Sequence, residues 1–400
     1  MAENKFEIRI TSATILDRIP YHERLVLPLL ELCPVTSSLI GRPKSDLDTP
    51  ILCIDLDVME ANIGRMVEHM NSRGKAWRPH EKCHKTPEIA LKQLAAGAIG
   101  VTCAKVSEAE VMSAGGVRDI LLANMIVGEP KVRRVAALCH SADPVVACDH
   151  FAQVEPLAAA CRDAGVTCRM IIEVNIGLDR VGVQPGRDTL ELAQAIDRLD
   201  GVELVGIMGY EGHLLRVEDL DEKRQRIAQA IERLVECRDA MRNDGLACDI
   251  VSAGGTGSYQ ITSDCDGVTE LQAGGGIFAD PMYQLQMGVT GLEYALTVLA
   301  TVVSRPERNR AILDSGRKTL NPDPQNPLIK GVESAEVIRM SAEHCELALD
   351  GDALDLAIGD KIELIVGYAD FTTVLHDHFY GFRDERLDVV WPILGRGKLQ

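Results

Sequence analysis

From Leu47 to about Gly276 the chain alternates short β-branched or apolar runs with longer stretches whose apolar residues recur at spacings of three and four. Such alternation predicts repeated βα units. The strand-like runs are ILCID (51–55), KAWRP (75–79), IGVTC (99–103), DILLA (119–123), PVVAC (144–148), RMIIEV (169–174), ELVGIMG (203–209) and CDIVSAGG (248–255). VMEANIGRMVEHM and VEDLDEKRQRIAQAIERLVECRDAMRNDG stand between them with helical period. About eight units in roughly 230 residues predict an α/β fold built on a closed (β/α)8 TIM barrel. An open Rossmann-like sheet is the alternative.

After Gly276 the rhythm changes. ALTVLATVV, RAILD, AEVIRM, KIELIV and LDVVWPI follow one another without helical stretches between them, which predicts a mainly β domain. The opening KFEIRITSATIL alternates, and proline-spaced apolar pieces follow it. The expected division is an N-terminal extension over 1–46 wrapped on the β domain or a neighbouring subunit, a barrel over 47–285, and a β domain over 286–400.

The 400 residues are 46% hydrophobic and 26% charged, with 60 acidic residues against 42 basic ones and a net charge of −18. That balance repels nucleic-acid backbones and anionic membranes. The longest apolar stretch, Leu25 to Val35, is broken by Pro28 and Glu31, far short of the roughly 20 residues of a membrane span. The opening residues are charged where a signal peptide is apolar, and the 12 cysteines form no CxxC pair. The expectation is a cytoplasmic protein with reduced thiols and a small-molecule substrate.

The densest chemistry lies in RPHEKCHKTPEIA, Arg78 to Ala90. On an extended backbone Arg78, His80, Lys82 and His84 share a face, at the carboxyl end of a barrel strand, where barrel active sites lie. Positive neighbours and burial lower a lysine pKa and free its amine, which suggests a Schiff-base lysine. A solvated polar loop is the alternative. SAGGTGSYQ (252–260) offers Gly255, Thr256, Gly257 and Ser258 as a phosphate cradle, and ELQAGGGIFAD (270–280) adds Gly275 and Gly276. A reactive lysine and phosphate-binding glycines at neighbouring strand ends point together to pyridoxal 5′-phosphate.

RPHEKCHK, VTCAKVSEAE (101–110), EVNIGLDRVGV (173–183), SAGGTGS, TELQAGG, ILDSGRKT (312–319), SAEHCEL (341–347) and the closing VVWPILGRG resemble the D-threonine aldolase and D-serine dehydratase group of fold-type III pyridoxal phosphate enzymes. These are relatives of alanine racemase. The resemblance implies that Lys82 carries the cofactor, with His80 and Arg78 shaping its surroundings. It places Arg180 near the cofactor's phenolic oxygen, Tyr210 at the mouth of the site and Gln272 against the pyridine nitrogen. A histidine that acts on the substrate hydroxyl in relatives has its nearest counterpart in His213, shifted in register. The implied activity is cleavage of D-threonine or 3-hydroxy-D-aspartate to glycine and an aldehyde, in a homodimer. D-serine or 3-hydroxyaspartate dehydration, racemisation, and a cofactor-binding homeostasis protein are the alternatives.

Relatives of this group also hold a divalent metal with a histidine and, two residues on, an aspartate or cysteine. In LIVGYADFTTVLHDHF, Tyr368 stands where the histidine belongs and Asp370 at the aspartate. A phenol is a poor ligand at neutral pH, its reference pKa being about 10. Asp370, His376 and His378, with His344 in reach, form the candidate substitute cluster for Mn²⁺, Mg²⁺, Co²⁺ or Zn²⁺, since the two histidines are spaced to share a strand face. A non-ligand His376 is the alternative.

Overall fold

The computed structural model describes residues 38–400. Residues 41–400 form one compact unit. Its strands are β1 (Ile51–Asp55), β2 (Ala76–Trp77), β3 (Val101–Cys103), β4 (Asp119–Leu122), β5 (Asp143–Cys148), β6 (Cys168–Glu173), β7 (Val202–Met208), β8 (Ile250–Ala253) and β9 (Glu270–Leu271). The carboxyl-terminal quarter adds β10 (Leu296–Glu307), β11 (Arg310–Leu313), β12 (Leu328–Ile329), β13 (Ala335–Met340), β14 (Cys345–Leu349), β15 (Lys361–Ile365), β16 (His378–Arg383) and β17 (Arg386–Pro392).

Eight parallel strands run in the order β2-β9-β8-β7-β6-β5-β4-β3. A parallel bridge between His80 and Thr102 joins the two ends of that order. The count of eight agrees with expectation, but one member differs. ILCID is not a barrel strand: β1 pairs antiparallel with β10 and parallel with β16, inside the β domain's sheet. The eighth barrel strand is the two-residue β9, too short to show as an apolar run. The domain boundary at residue 47 is therefore crossed by the chain, which enters through the β domain before building the barrel. Of the expected N-terminal extension, residues 1–37 lie outside the described residues. Lys44, just beyond them, pairs with Glu363 and Glu385 of the β domain. Among the described residues no helix is long and apolar enough to cross a membrane.

Helix boundaries follow local chemistry. Asp55 accepts from the Val58 N–H to open the helix Leu56–Ser72, and Asp219 accepts from Glu222 to open Leu220–Asn243; each meets a donor that the first turn leaves unpaired. Pro87 begins the helix Pro87–Ala96, and Gly97 closes it at φ 123°, a conformation that a side chain disfavours.

Strand parity layers the barrel's interior. Leu121, Val145, Ala147, Ile171 and Met208 form an apolar cluster separate from the main core, while Ile120, Leu122, Val146, Ile172 and Ile207 belong to the main core. Two residues before the cluster on β4, β5 and β6 stand Asp119, Asp143 and Arg169. Arg78 joins this layer: its guanidinium binds both oxygens of Glu270 at 2.9 and 3.1 Å and also Asp119, which Arg169 joins at 3.3 Å while holding Asp143 at 2.9 Å. Arg78 thus plugs the amino-terminal floor of the barrel instead of attending Lys82. Its pairing is bidentate and buried, so removing one partner strands an uncompensated charge. Arg78→Ala is expected to destabilise the protein by about 3–5 kcal/mol, read as a lowered midpoint in urea unfolding.

Candidate active site

At the carboxyl rim of the barrel the strand ends surround a cavity of about 530 Å³. Lys82 reaches it by a route that strand parity did not foresee. The strand β2 ends at Trp77, the chain stays extended as far as the His80 bridge, and Glu81–Cys83 then forms one 3-10 turn whose Lys82 N–H donates to His80 Nδ1 at 3.3 Å. Thr373 of the β domain donates its hydroxyl proton to the Cys83 carbonyl at 2.8 Å, clamping that turn. Lys82 Nζ then lies 3.1 Å from Asp370 Oδ2, with 45% of the lysine side chain exposed. The Asp370 carboxylate raises the Lys82 pKa above its ordinary value, outweighing burial. This corrects the expectation of an amine freed by cationic neighbours. His80, by contrast, is driven well below its ordinary pKa by burial and then by Lys82 and Lys85, so it faces the cavity neutral.

Asp370 belongs to the short helix Ala369–Thr373. Buried Asp280 accepts from the Ala369 N–H at 3.0 Å and from Tyr283 N–H at 3.2 Å, tying the loop after β9 to this β-domain helix. The Tyr368 hydroxyl donates to Asp370 Oδ2 at 2.7 Å, and its ring stacks edge-on to Tyr283 and Phe371. The other carboxylate oxygen, Asp370 Oδ1, is buried without a partner.

Two glycine turns form another wall. Gly254, Gly255 and Thr256 line the cavity after β8, and Gly274 and Gly275 line it after β9. The Gly275 N–H donates to Thr256 Oγ1 at 2.9 Å and so joins the turns. A Cβ on Gly274 would come within 2.0 Å of the His80 carbonyl, and one on Gly275 within 2.8 Å of the Tyr283 hydroxyl. Only glycine permits this approach of backbone to the lysine turn. Gln272 lines the cavity with its amide donating to Ser252 at 2.9 Å. Opposite, Arg180 lies over the Tyr210 ring at 5.8 Å and 3.5 Å from Glu173. Burial raises the Tyr210 pKa, leaving a protonated phenol.

Of the expected residues, the structure brings together Lys82, His80, Arg180, Tyr210, Gly255, Thr256, Gln272 and Gly275. Asp370 joins them through Lys82 and Tyr368, and the remaining expected residues do not reach the cavity. Ser258 spends its hydroxyl on Glu211 at 2.6 Å. Gly257 packs towards Met287 and Leu215, and Gly276 towards Met66 and Leu292. His213 is exposed on a 3-10 turn with its ring against Gly177.

The metal candidates disperse as well. His376 precedes β16 instead of lying on it, and its Nε2 meets the Thr319 carbonyl at 2.7 Å. His378 opens β16 in register with Pro392, and His344 is exposed. Among the described residues no three His, Cys, Asp or Glu side chains come together in a way that could hold a metal ion. The donor set around Asp370, a neutral phenol and an ammonium, does not fit a divalent cation.

Three carboxylate or phenol residues were not singled out from the sequence. Glu173 ends an apolar run, RMIIEV, and occupies the cavity end of the column that begins at Arg169; a lone acid closing a barrel strand was the available signal. Burial raises its pKa, against the effect of Arg180. Glu211 lies beside Tyr210 and collects hydrogen bonds from Ser258, Thr262 and the Gly254 N–H, so it shapes the glycine turn from beneath. Tyr283 sits in a π-helical turn, Met282–Gln286, an element frequent at functional sites.

The family model for the alanine racemase N-terminal domain matches residues 54–281. The chain belongs to this family. A serine dehydratase domain model matches residues 295–382. The 3-hydroxy-D-aspartate aldolase of Paracoccus denitrificans is 32% identical over 90% of this chain and 95% of that protein. The D-threonine aldolase of an Arthrobacter species is 34% identical over 89% and 95%. The solved D-threonine aldolase of Filomicrobium marinum superposes with a TM-score of 0.87 at 36% identity, covering 90% of this chain and 98% of that one.

Family members depend on pyridoxal phosphate, and the residues present fit it: an amine on one cavity wall faces backbone turns that a Cβ would fill. Because Asp370 holds the lysine charged, apoprotein of Asp370→Asn is expected to capture pyridoxal phosphate faster at pH 8, roughly tenfold for each pKa unit by which the ammonium falls. Stopped-flow absorbance of imine formation across pH measures this, and the rate profile should move to lower pH.

Proposed function

We propose that the protein is a pyridoxal phosphate-dependent lyase that splits the Cα–Cβ bond of β-hydroxy D-amino acids, such as D-threonine or 3-hydroxy-D-aspartate, into glycine and an aldehyde. One observation carries this reading: Lys82 on the barrel rim meets Asp370 of the β domain, which the Tyr368 hydroxyl also binds, beside a cavity walled by glycine turns. The aldolase names of both curated relatives, matched along about nine-tenths of the chain, support the same chemistry.

Lys82 would carry the cofactor through its ε-nitrogen, and the backbone at Gly254–Thr256 and Gly274–Gly275 would take the phosphate. When bound, pyridoxal phosphate supplies a ring that receives the electron pair left on Cα as a bond there breaks. Gln272 brings a neutral amide to the cavity, tied to Ser252, so electron withdrawal is not strengthened by a carboxylate at that residue. Arg180 supplies positive charge beside Tyr210, with buried Glu173 setting its direction. Lys82 is the proton donor for Cα, and Asp370 keeps it charged for that task. Neutral His80 caps the lysine turn and adds a ring N–H to the polar wall.

The reading includes a cytoplasmic homodimer. Leu285, 63% exposed, shares a turn with the cavity residue Met282, and Phe371, 47% exposed, stacks on Tyr368. A second copy would cover this apolar rim. Light scattering on the eluting protein should give about twice the 43.6 kDa chain mass.

Purified protein loaded with pyridoxal phosphate is expected to release glycine and an aldehyde from a panel of β-hydroxy D-amino acids. Keto acid with ammonia would assign dehydration instead, and the inverted isomer racemisation. Lys82→Ala should lose turnover by about a thousandfold or more. Borohydride trapping should leave a pyridoxyl adduct on the Lys82 peptide of the native enzyme and none in the variant.

A further inference from the structure

The resemblance implies a divalent ion beside the substrate, yet the place that its histidine ligand would occupy is filled by Tyr368, and His376 is spent elsewhere. His376 is committed to the Thr319 carbonyl, and Asp370 is engaged by the Tyr368 hydroxyl and by Lys82 on a single oxygen. We propose that the Tyr368 hydroxyl, braced by Asp370, takes the ion's place and binds the β-oxygen of the substrate directly, so that the enzyme works without a divalent metal. The inference rests on the reading above that the substrate carries a β-hydroxyl.

Three features support it. A carboxylate only accepts, so the 2.7 Å contact directs the phenol proton at Asp370, and beside the approach of the Tyr283 hydroxyl the phenol oxygen keeps a lone pair for another donor. Tyr368 lines the same cavity as Lys82, so that donor is the bound amino acid. The ring is held edge-on by Tyr283 at 5.9 Å and Phe371 at 5.0 Å, while Asp280 anchors the backbone of the next residue. An oxygen held in this way can orient a hydroxyl without rearranging first. An ion bound to Asp370 would instead draw most of its ligands from water, since among the described residues no three His, Cys, Asp or Glu side chains gather there.

The test compares D-threonine with D-2-aminobutyrate, which lacks only the β-hydroxyl. Each is mixed rapidly with chelator-treated holoenzyme, and its affinity is read from the initial change in cofactor absorbance. The native enzyme is expected to prefer D-threonine by roughly tenfold, the effect of one hydrogen bond, with no change on adding Mn²⁺. Tyr368→Phe should bind the two equally. Calorimetric titration of native holoenzyme with Mn²⁺ should show no binding. A preference that disappears on chelation and returns with Mn²⁺, or that survives intact in Tyr368→Phe, overturns the inference. If Tyr368→Phe does not fold, the chelation comparison and the Mn²⁺ titration on native enzyme still decide it. Failure to release aldehyde from D-threonine would refute the proposed function alone, because the binding comparison is read before turnover.

Discussion

The contact between Lys82 and Asp370 is the constraint around which the site is organised. Each residue comes from a different part of the molecule: the lysine from a one-turn helix at the barrel rim, the aspartate from a five-residue helix in the β domain. Neither short helix is stable alone, since nucleating a turn costs more than so few hydrogen bonds return. Both are held from outside. Thr373 clamps the lysine turn through the Cys83 carbonyl, and Asp280 clamps the aspartate helix through the Ala369 N–H. The seam between barrel and β domain therefore both joins the two parts and builds the cavity.

Below the seam the barrel is layered by charge. Ions meet at the amino-terminal floor around Arg78, an apolar layer fills the middle, and polar groups return at the carboxyl rim. The column Arg169, Ile171, Glu173 shows all three layers on one strand. The apolar middle removes water from beneath the cavity, and the low local dielectric strengthens every charge interaction above it. Hence burial and charge shift His80, Lys82 and Glu173 in different directions within one site.

Expectation and structure part company where local pattern is a poor guide to long-range pairing. ILCID reads as a barrel strand because both destinations bury an apolar run, yet its partners are β10 and β16. KAWRPH and the residues after it read as one extended face, but Arg78 is held at the floor by Glu270, and the 3-10 turn after His80 carries Lys82 to the rim. The sign of the Lys82 shift was misjudged for the same reason. Sequence neighbours are cationic, whereas the group that reaches the ammonium is a carboxylate nearly three hundred positions away.

The sequence by itself determined seven of the barrel's eight strands, the β domain after it, the lysine and glycine turns that belong together, and the presence of a tyrosine where a metal-binding histidine was expected. These are local facts: hydrophobic period, glycine placement and motif order are written along the chain, and burial enforces them wherever the chain folds. The tertiary structure alone decided which of the candidate histidines face the cavity, where Arg78 spends its charge, and that Tyr368, Asp370 and Lys82 form one hydrogen-bonded set. Those outcomes depend on distances between residues far apart in sequence, which are set by how the two domains pack rather than by any periodicity either of them carries.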